Sequence, residues 1–288
     1  MRGAVFTYHA QNCGGYDYAR NDHIAFAADL HAVHEAGLPI VSLLDIALAL
    51  ATRTPQALPS HFVAFSCDDG TSLDWADYDH PQFGRQRAFA NILRDHLART
   101  SPRTFTDTTL TDRTQNLLTA FVIACPAARA AIDHGCYGGL PLSDDNWWAE
   151  AAAEGLVAIE NHSWDHVHAT LPAALQRYGA GGDFSSVDNY ARADRQVRCA
   201  AQCIDERLRP VGKRTQLFAY PYGHTNPYLT RDYFPTLQHE HGMLAAFTTQ
   251  QALIDHATPV YEIPRLVCAD AWRTPQEFQA ILRRIVHG

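Results

Sequence analysis

Strand-like and helix-like segments alternate along nearly the whole chain, and this order restricts the fold more than any other feature of the sequence. Short apolar runs bounded by turn residues predict strands, and apolar residues at helical spacing predict helices between them. Strands separated by helices pair in parallel, because the chain must cross back over the sheet. About seven such units indicate a closed or nearly closed α/β barrel. We expect a single domain over residues 1–288.

The apolar patterns predict the following elements. Strands are expected at 4–8, 39–43, 62–65, 119–124, 156–159, 217–220 and 244–247. Helices are expected at 24–36, 44–51, 86–98, 126–132, 147–154, 187–208 and 274–286. Ser143 is the predicted N-cap of the helix at 147–154, and Gly155 is its predicted C-cap.

Three segments with reactive side chains directly follow predicted strands. The first contains Asp68 and Asp69, the second contains His162 and His166, and the third is the Pro-Tyr-Gly-His run at 221–224. Parallel strands end at the same side of a barrel, where active sites are built, so we expect the three segments to meet. Each is weak evidence alone, because Asp-Gly and Pro-Tyr-Gly are common in turns. With 16 His in the chain, a pair four residues apart arises about once by chance.

The residue types in these segments suit a metal site. One carboxylate and two imidazoles can hold a divalent ion and leave a coordination position open, as a hydrolytic zinc site requires. We expect one such ion, Zn²⁺ first, with Co²⁺, Ni²⁺ and Mn²⁺ compatible with the same ligands. The ion would lower the pKa of a bound water molecule and polarise a carbonyl group.

The order Asp-Asp-Gly, His-Ser-x-x-His and Pro-Tyr-Gly resembles the polysaccharide deacetylase family, also called carbohydrate esterase family four. The opening run Thr-Tyr-His at 7–9 and the run Phe-Ala-Tyr-Pro-Tyr-Gly at 218–223 are similar to one bacterial branch of that family. The resemblance extends over about residues 4–270. It implies a distorted (β/α)7-type barrel and a metal-dependent deacetylase acting on an N-acetylated sugar or a related amide.

The resemblance also implies roles for individual residues. Asp68 corresponds to the general base of the family's first motif, and Asp69 corresponds to its metal ligand. His162 and His166 match the two metal-binding histidines of the second motif. The backbone N–H of Tyr222 matches the group that helps to hold the oxyanion.

Other residues of the motifs are expected to support the ligands or to line the pocket. Ser163 matches the residue that braces the second motif, and Asp165 is expected to hydrogen-bond a ligand histidine. Trp164, inside the metal motif, is a candidate for substrate contact. Pro221 and Tyr222 are expected to contact the substrate from the third motif.

Two positions depart from the family pattern. Ala219 stands where the family usually has an arginine that contacts the base, and Cys268 stands where the last motif usually has its acid histidine. Arg265 resembles the arginine of a Pro-Arg pair in the same bacterial branch, and is expected to lie behind the site. The leaving amine still needs a proton, for which His224 is the first candidate and His9 the second.

Charge and hydropathy limit the kinds of partner that this chain is expected to bind. The chain has 23 Lys and Arg against 31 Asp and Glu, a formal net charge of −8, which argues against binding to nucleic acid or to an anionic membrane. No run approaches the ~18 apolar residues of a membrane span. Because the first residues do not resemble a secretory signal, we expect a cytoplasmic protein, which would not meet a cell-wall polymer. The oligomeric state stays open.

Three functions remain open at this stage. The first is the deacetylase, and the second is an amide or ester hydrolase that uses the same metal site on a small molecule other than a sugar. The third is a degenerate barrel that binds carbohydrate without turnover, which the departures at Ala219 and Cys268 favour. The Asp-Asp-Asn-Trp-Trp run at 144–148 also has two interpretations, a surface that stacks on a sugar or a helix start with tryptophans in the core.

Overall fold

The computed structural model describes residues 1–100 and 116–288. The strands in these residues are β1 (Arg2–Tyr8), β2 (His61–Cys67), β3 (Tyr78–His80), β4 (Gly84–Gln86), β5 (Leu118–Val122), β6 (Val157–Asn161), β7 (Leu217–Ala219), β8 (Ala245–Phe247) and β9 (Leu266–Val267). β3 and β4 form a small antiparallel hairpin. The other seven form one parallel sheet in the order β8-β7-β6-β5-β2-β1-β9.

The sheet curls into an incomplete barrel. A parallel bridge between Phe247 of β8 and Ile263, just before β9, brings the two edges of the sheet towards each other. Every pairing within this sheet is parallel, so the carboxyl ends of all seven strands lie on one side. The prediction of a distorted (β/α)7-type barrel is confirmed.

Helices surround the sheet. They are α1 (Asp22–Glu35), α2 (Leu43–Ala51), α3 (Phe89–Thr100), α4 (Pro126–Cys136), α5 (Trp148–Glu154), α6 (Tyr190–Asp194), α7 (Ala200–Leu208), α8 (Phe234–Thr236), α9 (Gln238–His241) and α10 (Pro275–His287). A π-helical turn, Arg195–Cys199, joins α6 to α7. The predicted helix at 187–208 is therefore one continuous helical segment from residue 190 onward. No helix in the described ranges combines the length and apolar character needed to cross a membrane.

Side-chain alternation along β2 separates the helix-facing core from the inside of the barrel. Phe65 packs towards the helices, where its ring lies 5.4 Å from that of Phe26 on α1. Ala64 belongs to a second buried cluster. Successive side chains point to opposite faces of a sheet. The side chains of Ser66 and Asp68 therefore point to the same face as that of Ala64, into the barrel. The inside of the barrel thus becomes polar at its carboxyl end.

The predicted strand at 39–43 is wrong. Only Ile40 forms a bridge, with Val63 of β2. The chain leaves the sheet there because Ser42 caps α2, accepting a hydrogen bond from the backbone N–H of Asp45. The β3–β4 hairpin and the two-residue strand β9 were not predicted.

The predicted N-cap at Ser143 is also wrong, because α5 begins only at Trp148. The backbone N–H of Ser143 instead donates to the Asp133 carboxylate at 3.1 Å. Gly155 does end the helix, in the left-handed conformation. Trp147 and Trp148 are 5% and 1% exposed, so they belong to the core and are not a surface for sugar stacking.

Candidate active site

The carboxyl end of β2 places a buried carboxylate against a buried guanidinium. Arg265, which precedes β9, donates from Nη1 to Asp68 Oδ1 at 2.6 Å and from Nη2 to Asp68 Oδ2 at 2.8 Å. The Arg265 side chain is fully buried, and that of Asp68 is 6% exposed. Burial alone would raise the pKa of Asp68, but the Arg265 charge, with a contribution from His162, holds it well below its usual range. Asp68 is therefore an ionised, rigidly held carboxylate at neutral pH.

Asp69 and two histidines converge beside this pair. Asp69 Oδ1 lies 3.5 Å from His166 Nε2 and 3.7 Å from His162 Nε2. In the described part of the chain, no other group of three or more His, Cys, Asp or Glu side chains comes close enough together to hold an ion. The separations exceed those of strong charged hydrogen bonds, about 2.7–2.9 Å. They are close to the roughly 3.4 Å that separates two ligands held about 2.1 Å from one tetrahedral ion.

Hydrogen bonding fixes the orientation of the first histidine ring. His162 Nδ1 lies 2.9 Å from the carbonyl oxygen of Ala219. A carbonyl only accepts, so Nδ1 carries the hydrogen and Nε2, which faces the carboxylates, has a free lone pair. Ala219 ends β7, so a neighbouring strand sets the direction of this ligand.

Burial keeps both imidazoles neutral. It lowers the pKa of His162, although Asp68 and Asp69 oppose the shift. Burial lowers the pKa of His166 to about 3, and the neighbouring His162 ring acts in the same direction. Neutral imidazole is the form that binds a metal, and His166 Nδ1 is a buried atom without a partner in the described structure. The chemistry of this donor set fits a divalent cation.

The loops that hold these side chains have unusual backbone conformations. Eight non-glycine residues have a positive φ in the described ranges, and five of them lie in the three motif loops: Asp69, Ser163, His166, Val167 and Tyr222. This conformation costs an L-residue about 1–2 kcal/mol. Such strain persists where surrounding contacts impose it, and it is concentrated at functional sites.

The third motif covers one side of the cluster. The Tyr222 ring centre lies 4.5 Å from that of His166, nearly perpendicular to it. Tyr222 has φ 59° and ψ 3°, and no loop or turn hydrogen bond of the described residues uses its backbone N–H as donor. This N–H can donate to another group.

The segment after β1 approaches the two carboxylates. Gln11 donates from its side-chain amide to Asp69 Oδ2. Burial raises the pKa of Asp69, but the neighbouring histidines, His166 foremost, favour its ionised form and bring its pKa below the usual value. The backbone N–H of Asp68 donates to the carbonyl oxygen of Tyr8 at 3.1 Å, so His9, the next residue after Tyr8, lies beside the first motif.

His224 lies at the edge of this cluster, where its ring centre is 5.4 Å from that of Tyr222. Its Nδ1 is 3.4 Å from Asp183 Oδ1, and both side chains are about half exposed. The structure thus groups Asp68, Asp69, His162, His166, Arg265 and His9, and leaves His224 on the rim.

The second motif is braced from two sides. Ser163 Oγ accepts a hydrogen bond from the backbone N–H of His166 at 2.9 Å. The hydrogen bond expected between Asp165 and a ligand histidine does not form, because Asp165 accepts instead from Gln196 Nε2 at 2.7 Å and from the Val167 N–H. Gln196 is fully buried, and no motif marks it in the sequence.

Trp164 is less open to a substrate than the sequence suggests. The guanidinium of Arg195 lies 3.5 Å above the centre of its ring. One face of the indole is therefore covered by a cation–π contact within the protein.

Comparison with known protein families shows which family this chain belongs to. The family model "Polysaccharide deacetylase" matches residues 110–257, just over half of the chain. The chain belongs to the polysaccharide deacetylase family. The match includes the second and third motifs, and it begins after Asp68 and Asp69 of the first. No curated protein matches the sequence.

Several solved deacetylases have a similar fold. The Streptococcus pyogenes deacetylase PplD in complex with acetate aligns with a TM-score of 0.59 and 14% identity, over 98% of each chain. IcaB from Ammonifex degensii aligns with a TM-score of 0.59 and 18% identity, over 99% of this chain and 97% of its own. The de-N-acetylase from Aggregatibacter actinomycetemcomitans aligns with a TM-score of 0.57 and 16% identity, over 96% and 100%. At these identities the likeness is one of fold.

Arg265 accounts for one departure from the pattern of the deacetylase family. Ala219 has no guanidinium, but that of Arg265, just before β9, makes two hydrogen bonds with Asp68. The second departure from the family pattern remains. Cys268, at the position where the last motif usually has a histidine, is buried and offers no imidazole.

Proposed function

We propose that this chain is a divalent-metal-dependent hydrolase that removes the acetyl group from an N-acetylated sugar residue. The convergence of Asp69, His162 and His166 beside the Asp68–Arg265 pair carries the proposal. A divalent ion held by these three ligands, Zn²⁺ being our first choice, would lower the pKa of a water molecule and polarise the acetamide carbonyl.

Asp68 is the proposed base. It accepts a proton from water as the water oxygen bonds to the carbonyl carbon. The two hydrogen bonds from Arg265 support this role, since they keep the carboxylate ionised and fix its direction. Cleavage of the C–N bond then gives acetate and a free amine, which needs one proton.

Tyr222 is the proposed oxyanion donor. Its backbone N–H would donate to the carbonyl oxygen as negative charge develops there. Pro221, which lacks an N–H, precedes it in a tight turn, and we propose that both residues contact the acetyl group. Trp164 stays a weaker candidate for substrate contact, since Arg195 covers one of its faces.

His9 is the proposed proton donor to the amine, in preference to His224. His9 directly follows Tyr8, whose carbonyl oxygen accepts from the backbone N–H of Asp68 at 3.1 Å, whereas His224 contacts Asp183 on the rim. We expect His9→Gln to lower kcat for amide hydrolysis roughly 100-fold. Its metal content should not change, and His224→Gln should keep kcat within about twofold of wild type.

A substrate with a good leaving group distinguishes an acid from a structural histidine. 4-Nitrophenyl acetate expels a phenolate that needs no proton, so His9→Gln should hydrolyse this ester nearly as fast as the wild type does. Equal losses on the ester and on the amide would contradict the acid role. A rate loss confined to His224→Gln would assign that role to His224.

Acetate release tests the proposed function as a whole. The protein is loaded with Zn²⁺, Co²⁺, Ni²⁺ or Mn²⁺ and assayed on chitin oligosaccharides and on simple N-alkylacetamides. We expect metal-dependent release of acetate from the sugars, absent in Asp68→Asn. Release from the simple amides alone would indicate a hydrolase of small non-sugar molecules. Sugar binding without release by any loaded form would indicate a binding protein.

A further inference from the structure

A cavity lies against the loop that follows β1. Its volume is about 440 Å³, and its walls come from the segment after β1, the β3–β4 hairpin and the helices α1 and α3. The wall segment after β1 also reaches the candidate metal centre. Gln11 near its start donates to Asp69, and Tyr16 further along lines the cavity. The two sites therefore share one loop at one end of the barrel.

Three arginines, Arg85, Arg87 and Arg99, line the cavity, and Asp95 is the one acidic residue among its lining residues. Arg85 and Arg87 both pair with aspartates, but not equally tightly. Arg87 is held in place by two hydrogen bonds to Asp95, at 2.9 and 3.0 Å, and by one to Asp77 at 2.9 Å. A rigid guanidinium therefore forms part of the wall.

Arg85 is held more loosely. Its side chain is 60% exposed, and its main partner, Asp79 at 2.9 Å, is 76% exposed. Its second contact, with Asp77, is 3.5 Å long. Ion pairs this exposed contribute little to stability, so an incoming anion can replace Asp79. A guanidinium matches a carboxylate or a phosphate through two parallel hydrogen bonds.

An exposed aromatic ring stands at the same cavity. Tyr16 is 71% exposed, yet its hydroxyl donates to the Gln82 carbonyl at 2.8 Å. Its ring packs edge-on against Phe83 at 5.6 Å. The ring is thus fixed in position with much of its surface in water, which suits stacking against a sugar.

We propose that this cavity is a subsite for a negatively charged sugar residue, with Tyr16 stacked on the ring and Arg85 bound to its carboxylate or phosphate group. The inference depends on the proposed function only in taking the ligand to be part of the same glycan that carries the N-acetyl group.

Calorimetric titration of the full chain tests this assignment without turnover. The probes are a hyaluronan hexasaccharide, which alternates N-acetylglucosamine with glucuronate, and the neutral chitin hexasaccharide. A hydrogen bond to a charged group corresponds to about a 10- to 100-fold change in affinity. We therefore expect Arg85→Gln to weaken hyaluronan binding at least tenfold and to leave chitin binding within about twofold.

Two further variants test whether changes in hyaluronan affinity are specific to Arg85. Asp79→Asn removes the competing carboxylate and should tighten hyaluronan binding several-fold. Arg231→Gln removes an exposed arginine elsewhere on the chain and should have no effect. Equal weakening by Arg85→Gln and Arg231→Gln, or no hyaluronan binding at all, would overturn the proposal.

Competition identifies the anionic group and separates this inference from the proposed function. Displacement of hyaluronan by glucuronate or by glucose 6-phosphate supports the subsite and assigns a carboxylate or a phosphate, whereas displacement by neither overturns it. Acetate release from chitin without Arg85-dependent binding contradicts only this inference. Arg85-dependent binding without acetate release by any metal-loaded form contradicts only the proposed function.

Discussion

The Asp68–Arg265 ion pair joins the residue that follows β2 to the residue that precedes β9, 197 positions away in the sequence. Both partners are almost completely buried, so each compensates a charge that would otherwise be isolated from water. The pair therefore keeps either charge from being buried alone, and it orients the proposed base.

We expect Arg265→Met to lower the free energy of unfolding by about 3–5 kcal/mol, because it leaves the Asp68 carboxylate buried without a partner. Adding Asp68→Asn to this variant removes that charge and should restore part of the loss. Urea unfolding of the two single variants and the double variant measures the coupling. Strictly additive losses would contradict a direct interaction.

Motifs predicted the four central residues of the site, since the types and spacing of Asp68, Asp69, His162 and His166 are visible in the sequence. Supporting contacts were harder to predict. Gln196 braces the second motif from a helix more than 30 positions away, and a lone buried glutamine has no sequence signature. His9 stands beside the first motif through the hydrogen bond between Tyr8 and Asp68, and this pairing of two strand ends is visible only in the folded chain.

At the scale of elements, the strand ends and their tight loops build the site. Gly70, directly after Asp69, has a φ of +70°, and a Cβ there would lie 2.5 Å from Val122 Cγ1 on β5. A side chain at this position is excluded both by the backbone conformation and by the neighbouring strand. The close approach of the first motif to β5 thus depends on glycine.

Gly70→Ala should lower the free energy of unfolding by about 2–5 kcal/mol, as the sum of the left-handed conformation and a steric clash. Gly37→Ala is the matched control, since Gly37 has a φ of +65° but no atom within 4 Å of a built Cβ. We expect it to cost about 1 kcal/mol. Denaturant midpoints compare the two, and equal losses would contradict the close-packing argument.

Long, strongly apolar elements were predictable, and short or polar ones were not. β2 and α1 lie within a few residues of their expected positions. β9 has two residues and each strand of the β3–β4 hairpin has three, too few to show a periodic pattern. The strand expected at 39–43 failed because the Ser42 cap starts a helix there.

At the scale of the whole molecule, Asp29 of α1 connects the two ends of the chain. Its carboxylate accepts hydrogen bonds from Tyr8 of β1 at 2.8 Å and from Tyr18 at 2.5 Å. It also accepts one from the indole N–H of Trp272, shortly before α10, at 3.1 Å. Burial raises the pKa of Asp29 to about 7, although these three donors oppose the shift.

This raised pKa predicts a pH-dependent stability. Between about pH 4, the usual range of an unfolded Asp, and about pH 7, the folded protein binds the extra proton, so its stability falls as the pH rises. We expect wild type to lose stability relative to Asp29→Asn across this window and to show no further relative change above it. Unfolding free energies of both proteins at several pH values measure the difference, and a constant difference would contradict a buried titrating Asp29.

Metal content measured by elemental analysis on wild type, Asp69→Asn and Asp68→Asn, purified side by side, tests the central claim most directly. We expect about one divalent ion per chain in wild type and in Asp68→Asn, and little in Asp69→Asn, because only Asp69 is assigned as a ligand. No ion in wild type after dialysis against Zn²⁺, or an equal content in wild type and Asp69→Asn, would contradict the proposed metal centre.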